Sequence, residues 1–228
     1  MCASISASQW GSPTASRRAL LIHGMTASSI SLEGIAQLLT AKGFFVVAPN
    51  LLGHAWRRGT DYRVSALAED LRPYMDTSYD RKDTTVILLD PVLEVAAEQI
   101  EIAKCMFVKK VASVKTAEEY MADKPAWSRR DCVSESLGAS MCDCTVIEGI
   151  FEQTKPWSFS GLFKNIPPNV NITVLASDPK FGAACRLEHV PRDVERLNAR
   201  VLPGVGHCIQ YERPDAIMDA IPLLRAEL

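Results

Sequence analysis

The sequence lacks the features typical of membrane, secreted and nucleic-acid-binding proteins. No apolar run approaches the roughly 20 residues that cross a bilayer, so we expect no membrane span. Residues 1–16 contain no basic segment followed by an apolar core, which argues against a secretory signal. The formal net charge is only −2 and like charges do not cluster, so no nucleic-acid partner is expected. The seven cysteines are odd in number and scattered, which indicates reduced thiols in a cytoplasmic protein rather than a disulfide framework.

A metal-binding pattern is also lacking. Cys132, Cys142 and Cys144 lie close in sequence, but no histidine lies near them, and a lone Cys-x-Cys is a weak metal signal. We therefore expect neither a metal nor another cofactor.

Short apolar runs alternate with stretches of helical periodicity along most of the chain. Its 228 residues, 47% of them hydrophobic, suit one domain with a substantial core. Apolar runs bounded by Gly, Pro or polar residues predict the strands Arg18–Gly24, Phe44–Asn50, Thr84–Asp90, Asn171–Ser177 and Ala199–Leu202. Helical spacing predicts the helices Leu32–Lys42, Val64–Met75, Val190–Leu197 and Pro214–Leu224. This alternation predicts an α/β fold with a mostly parallel sheet flanked by helices.

Residues from about 92 to 160 interrupt the alternation. Val92–Val114 has a long helical pattern, and shorter helical pieces surround Trp127, Val133 and Val146, with no strand pattern between them. The section predicts a helical cap inserted into a single domain that spans residues 1–228.

Residues suited to catalysis stand at the carboxyl ends of three predicted strands, where ligands and catalytic groups lie in such sheets. Gly24 and Met25 follow the first strand, Asp178 follows the fourth and His207 follows the last. A glycine turn can aim a backbone N–H at a developing oxyanion. A carboxylate that holds an imidazole in one tautomer is the acid–base half of a nucleophilic triad. Each feature alone also fits a structural turn or a structural histidine, whereas the three together favour a catalytic design.

Four segments resemble those of the α/β-hydrolase family, in particular its single-domain esterase, lipase and epoxide-hydrolase-like members with a helical cap. They are Leu20-Leu-Ile-His-Gly24, Val47-Ala-Pro-Asn-Leu-Leu-Gly-His54, Asp178-Pro179 and Gly204-Val-Gly-His207. The likeness extends over nearly the whole chain. It implies that Gly24 and Met25 belong to the oxyanion loop, that Asp178 is the acid and that His207 is the base, in the family's chain order.

The family's serine elbow has no counterpart at its expected place. In the family the nucleophile stands on a sharp strand-to-helix turn, small-x-Ser-x-Gly, before the strand that corresponds to Thr84–Asp90. The interval in this chain, Asp76–Asp83, has no apolar run, no elbow glycine and no following helix. We therefore expect that one central strand–helix unit, about 20 to 30 residues by usual element lengths, is missing between Asp80 and Arg81. Exon skipping, a gene-model error or genuine loss would each produce this gap.

Two other residues are candidates for the nucleophile. Ser136 in Ser134-Glu-Ser-Leu-Gly138 fits the elbow pattern, but the segment before it is polar and lies in the helical section, whereas an elbow follows a buried strand. Asp90 ends a predicted strand, and some relatives use an aspartate nucleophile. Its next residue is Pro91, which has no backbone N–H for the oxyanion hole, and this argues against Asp90 in that role.

The resemblance implies an ancestral serine hydrolase of carboxylic esters or similar acyl substrates, with impaired catalysis in this chain. An alternative is a non-catalytic binding or regulatory protein that keeps a pocket for a small apolar or acyl ligand. A further alternative is a shortened product of splicing or of a gene-model error. Saturable ligand binding without hydrolysis would favour the non-catalytic protein. Cooperative melting would argue against the shortened product.

Overall fold

The computed structural model describes residues 7–75 and 83–222, in which strands and helices alternate. These residues divide into two compact units, the first made of 7–75 with 96–156 and the second of 83–95 with 157–222. The strands are β1 (Ala7–Trp10), β2 (Arg17–Leu20), β3 (Phe44–Pro49), β4 (Thr84–Leu89), β5 (Val170–Ala176) and β6 (Leu197–Val201). The α-helices are α1 (Glu33–Ala41), α2 (Val64–Leu71), α3 (Ala97–Ala112), α4 (Ala117–Asp123), α5 (Arg129–Ser140), α6 (Cys144–Gln153), α7 (Ile209–Glu212) and α8 (Pro214–Asp219).

The first unit contains a three-stranded sheet in the order β1-β3-β2. β2 runs parallel to β3, with Leu20 opposite Val47, and β1 runs antiparallel to it, with Ala7 opposite Pro49. The central strand β3 is apolar on both faces and largely buried, as expected for a strand covered on both sides. The apolar stripe of α1 is buried in the same unit.

β1 was not predicted from the sequence. Its residues Ala-Ser-Gln-Trp have little β-propensity apart from the tryptophan, so the strand exists through its pairing with β3 rather than through local preference.

The second unit contains a three-stranded parallel sheet in the order β4-β5-β6. Thr84 lies opposite Val170, and Ile172 lies opposite Leu197. One face of this sheet packs on a buried apolar cluster that consists of Leu93, Phe163, Val174, Ala176, Cys185 and Val190. The parallel register aligns the carboxyl ends of the three strands at one edge, which is where the candidate site forms.

The helix predicted over Val190–Leu197 is wrong. Val190 has extended backbone angles and precedes Pro191, whose ring disfavours the helical conformation of the residue before it. Leu197 instead begins β6. The apolar residues in this segment reflect a buried Val190 followed by a strand, not one face of a helix.

The predicted helical section contains α3 to α6, which confirms its helical character. Thr116 and Ser128 are the N-cap residues of α4 and α5. Each side chain accepts a hydrogen bond from the backbone N–H of the third residue of its helix. An isolated bridge pairs Glu94 with Ser158, on the two chain segments that flank this section. Its role as a cap stays a prediction. None of the helices in the described ranges is long and apolar enough to cross a bilayer.

Candidate functional site

The carboxyl edge of the second sheet brings an aspartate and a histidine together. Asp90 follows β4 directly, and His207 lies in the loop after β6. Nδ1 of His207 donates a hydrogen bond of 2.7 Å to Oδ2 of Asp90. The carboxylate is fully buried, whereas the imidazole is 56% exposed. A buried acid therefore holds a histidine whose outer face is open.

Backbone groups hold the Asp90 carboxylate in its ionised form. Ser177 N and Cys185 N donate to Oδ1 at 3.1 and 3.0 Å, and Ala184 N donates to Oδ2 at 2.8 Å. Burial by itself would raise the pKa of Asp90, but the bonds from His207 and from these three N–H groups outweigh it and lower the pKa. A carboxylate that stays charged can stabilise positive charge on the adjacent imidazole.

The backbone at Asp90 is strained. Its φ is +44°, in the left-handed region that non-glycine residues seldom occupy, and Pro91 follows it. Such strain is concentrated at functional sites, where surrounding contacts enforce it. Here the four hydrogen bonds to the carboxylate supply those contacts.

The loop that carries His207 is held from both sides. Ser177 Oγ donates to Gly206 O at 2.8 Å, and Gly206 N donates to Glu212 Oε2 at 2.6 Å. A side chain at Gly206 would meet the Glu212 carboxylate at about 3.0 Å, so glycine suits this position. Within residues 7–75 and 83–222, Nε2 of His207 has no hydrogen-bond partner. Because Nδ1 donates to Asp90, Nε2 of the neutral ring carries the basic lone pair.

Asp178 does not hold His207, contrary to the expectation from the sequence. Its carboxylate accepts hydrogen bonds from Lys180 N at 2.9 Å and Gly204 N at 2.8 Å. These two backbone N–H groups lower the pKa of Asp178. The residue caps a short turn and ties it to the glycine loop before His207. The structure thus pairs the histidine with the carboxylate after β4 rather than with the one after β5.

The sequence pattern does indicate Asp90 as a candidate, because it stands at the carboxyl end of a predicted strand, as Asp178 and His207 do. Pro91 argues against Asp90 as a nucleophile, because proline has no backbone N–H for the oxyanion hole. A following proline does not prevent a carboxylate from accepting hydrogen bonds, so Asp90 can still serve as the acid that orients the histidine.

Gly24 and Met25 lie in the first unit, in the loop after β2. His23 is buried there, with Nδ1 donating to Gly24 O at 2.8 Å and Nε2 accepting from Leu51 N at 3.0 Å. These bonds require the neutral imidazole, and burial together with the nearby His54 lowers the pKa of His23 to about 3. Among the described residues the backbone N–H of Met25 has no hydrogen-bond partner. An oxyanion role for Gly24 and Met25 stays a prediction.

Ser136 lies in the middle of α5, preceded by seven helical residues instead of a strand. This placement is incompatible with a strand-to-helix elbow. Gly138 in the same pattern has another role, since a Cβ there would come within 2.9 Å of Thr26 O. The glycine allows α5 to pack closely against the loop after β2. The elbow-like pattern therefore arises from helix packing.

The proposed gap between Asp80 and Arg81 lies outside the described residues. β2 is an edge strand of the first sheet and β4 is an edge strand of the second. The described part of the chain also contains no group of three or more His, Cys, Asp or Glu side chains that could hold a metal ion.

The sequence matches no protein-family model, and no curated protein matches it significantly. Solved structures do match its fold. The thioesterase domain from the curacin biosynthetic pathway is 18% identical, with a TM-score of 0.65 and 93% of each chain covered. A thermophilic esterase from Thermogutta terrifontis is 17% identical, with a TM-score of 0.67 over 95% of this chain and 90% of the other. E-2-(acetamidomethylene)succinate hydrolase is 13% identical, with a TM-score of 0.69 over 95% and 92%.

These neighbours are α/β-hydrolase-fold enzymes, and the present chain has the α/β-hydrolase fold. The identities are too low to carry more than the fold.

Proposed function

We propose that this chain is an α/β-hydrolase-fold protein that retains the Asp–His half of a serine-hydrolase site and lacks its nucleophile. The hydrogen bond between Asp90 and His207 carries the proposal, because a buried charged acid that orients an exposed imidazole is the arrangement that activates a serine. The ancestral reaction is hydrolysis of a carboxylic ester or similar acyl substrate. In this chain we expect little or no turnover through an acyl-serine.

The neighbouring enzymes support the class of reaction. Their names describe a thioesterase, an esterase and a hydrolase. The edge positions of β2 and β4 support the loss of a central strand–helix unit. Reading the transcript across the codons of Asp80 and Arg81 tests this loss, and an unbroken genomic coding sequence there would exclude both skipping and a gene-model error.

Fluorophosphonate labelling of the purified chain, followed by peptide mapping, tests for a serine nucleophile. An authentic serine esterase labelled in parallel shows that the probe is active, and a cooperative melting transition shows that the chain is folded. We expect no stoichiometric adduct. An adduct on Ser136 that is absent from a Ser136→Ala variant would overturn the proposal and identify a working serine hydrolase.

A non-catalytic ligand-binding role is the alternative. It would gain support from saturable binding of a hydrophobic acyl ligand by a protein that neither reacts with fluorophosphonate nor hydrolyses esters.

A further inference from the structure

The Asp90–His207 pair has the geometry of a catalyst that works without a serine. In a complete serine-hydrolase site, Nε2 of the histidine faces the serine hydroxyl. Here Nε2 has no hydrogen-bond partner in the described residues, and the ring is 56% exposed. The Nδ1–H bond to Asp90 fixes the tautomer that leaves the Nε2 lone pair facing outward. An acyl group can therefore approach the nitrogen directly.

We propose that His207 is itself a nucleophile towards activated aryl esters, with Asp90 as its positioning residue. The inference rests on the proposed function, since it uses the acid–base pair that remains when the serine is absent. It adds a substrate class, esters whose leaving group is a stabilised phenolate, and an activity that needs no serine.

The reaction runs in two balanced steps. Nε2 attacks the ester carbonyl carbon, the carbon–oxygen bond to the aryl group breaks, and the phenolate leaves with the electron pair. The resulting acyl-imidazole is positively charged, and the buried Asp90 carboxylate stabilises that charge through the Nδ1–H bond. Water then attacks the acyl carbon and the bond to Nε2 breaks, with its electron pair returning to the ring. The carboxylic acid leaves, the second proton of the attacking water passes to solvent, and the neutral imidazole is regenerated.

Asp90 suits this role because its own hydrogen bonds keep its buried carboxylate charged. Three backbone N–H groups, from Ser177, Ala184 and Cys185, neutralise part of its charge without competing for the proton of His207. The pair therefore remains hydrogen-bonded throughout the reaction.

The chain offers a matched control in its other partly exposed histidine. His23 and His54 are buried, so only His189 and His207 of the four histidines are accessible. His189 lies in the same unit, where its Nε2 approaches the exposed carboxylate of Glu188 at 3.8 Å. It lacks the buried acid of His207, and its side chain is accessible to solvent.

The test is hydrolysis of 4-nitrophenyl acetate by the full-length protein and by its His207→Gln and His189→Gln variants. We expect His207→Gln to lower the protein-dependent rate about tenfold or more, since a positioned catalytic side chain commonly contributes that much. His189→Gln should leave the rate unchanged. In rapidly quenched samples an acetyl group should map to the peptide that contains His207. Circular dichroism verifies that both variants fold.

Equal rates for all three proteins would overturn the inference, as would loss of the rate in His189→Gln alone. Prior treatment with fluorophosphonate separates this result from the proposed function. A His207-dependent rate that survives the treatment supports both the proposed function and the histidine nucleophile. A rate abolished by it, with a mapped serine adduct, would overturn both. A rate independent of His207 in a protein that forms no adduct would overturn only the histidine nucleophile.

Discussion

Nδ1 of His207 donates to Oδ2 of Asp90 at 2.7 Å, although 117 positions separate the two residues in the chain. Parallel pairing of β4, β5 and β6 brings them together, because it places the carboxyl ends of β4 and β6 on the same edge of the sheet. The acid also links this edge to the loop at Ala184 and Cys185. Asp90 therefore contributes both to the site and to the stability of the second unit.

The first prediction is that Asp90→Asn destabilises the protein at neutral pH. The asparagine amide can keep at most part of the four hydrogen bonds, and its NH₂ group faces donors instead of acceptors. We expect the free energy of unfolding to fall by about 3 kcal/mol, as for the breaking of a buried ionic hydrogen-bond network. Urea unfolding followed by circular dichroism measures it.

Asp178→Asn is the matched control. Asp178 also accepts backbone hydrogen bonds after a strand, but its carboxylate lies at the surface and does not contact His207. The control should shift the urea midpoint less than Asp90→Asn. The reverse order would contradict the assignment of Asp90 as the buried acid.

The second prediction concerns acid unfolding and His23. The folded-state pKa of His23 is about 3, well below the ordinary value of a histidine, because the ring is buried. Below about pH 6.5 the unfolded chain binds a proton that the folded chain does not, so stability falls as pH falls from there towards 3. The slope approaches about 1.4 kcal/mol per pH unit below about pH 5.5, and the contribution lost between pH 6.5 and 4.5 is roughly 2 kcal/mol.

Urea unfolding at several pH values measures this dependence. Gln at position 23 can donate to Gly24 O and accept from Leu51 N without titrating, so His23→Gln should flatten the slope over this window. The unsubstituted protein, unfolded in urea at the same pH values, is the comparison. A His23→Gln variant with an unchanged slope would show that other groups dominate acid unfolding.

The third prediction concerns the ion pair between Arg57 and Asp70, which joins the loop after β3 to α2. The guanidinium donates two bonds to the carboxylate, at 2.5 and 2.7 Å, and a third to Asn50 O at 2.9 Å. The two side chains are only 12% and 18% exposed, so solvent screens the pair little. Asp70→Asn should lower the free energy of unfolding by about 2 kcal/mol, because the guanidinium keeps its burial and loses its counter-charge.

An exposed pair in the same unit provides the comparison. The Arg63 guanidinium also donates two hydrogen bonds to the Asp61 carboxylate, but these side chains are 64% and 41% exposed. Asp61→Asn should therefore change the urea midpoint less than Asp70→Asn, and its effect should diminish further in salt. Equal effects would show that burial does not strengthen the Arg57–Asp70 pair.

The sequence predicted most strands and helices because their patterns are local. β3 is apolar along its length, β5 ends in the buried apolar run Val174–Ala176, and α1 carries its apolar residues on one face. β1 could not be predicted in this way, since its pairing with β3 is a long-range contact that its residues do not encode. The helix expected at Val190 failed because Pro191 overrides the apolar spacing.

The sequence pattern indicates which residues follow the strands, but it does not indicate which carboxylate is hydrogen-bonded to the histidine. Asp178 and Asp90 both follow strands of the parallel sheet, and His207 follows a third. Which carboxylate meets the histidine depends on loop conformation. Gly204 N and Lys180 N engage Asp178, whereas the left-handed backbone of Asp90 accompanies its contact with His207. Spacing along the chain contains neither fact.

The last prediction tests whether β4 has an open edge. Thr84 N donates to Asn169 O, just before β5, and Asp90 N donates to Leu175 O on β5. The alternation of a parallel ladder directs the N–H groups of Val86 and Leu88 towards β5 as well. The N–H groups of Ile87 and Leu89 therefore point to the other edge, where the described residues provide no paired strand. In a complete sheet with a central strand next to β4, those amides would be bonded.

Amide hydrogen exchange followed by NMR distinguishes the two cases within a single strand. We expect Ile87 and Leu89 to exchange at least about tenfold faster than Val86 and Leu88, because their opening does not require the β4–β5 ladder to separate. Val86 and Leu88 serve as the internal control for the stability of β4 itself. Equal protection of all four amides would mean that another strand pairs with this edge of β4, and it would contradict the proposal that the strand next to β4 is missing.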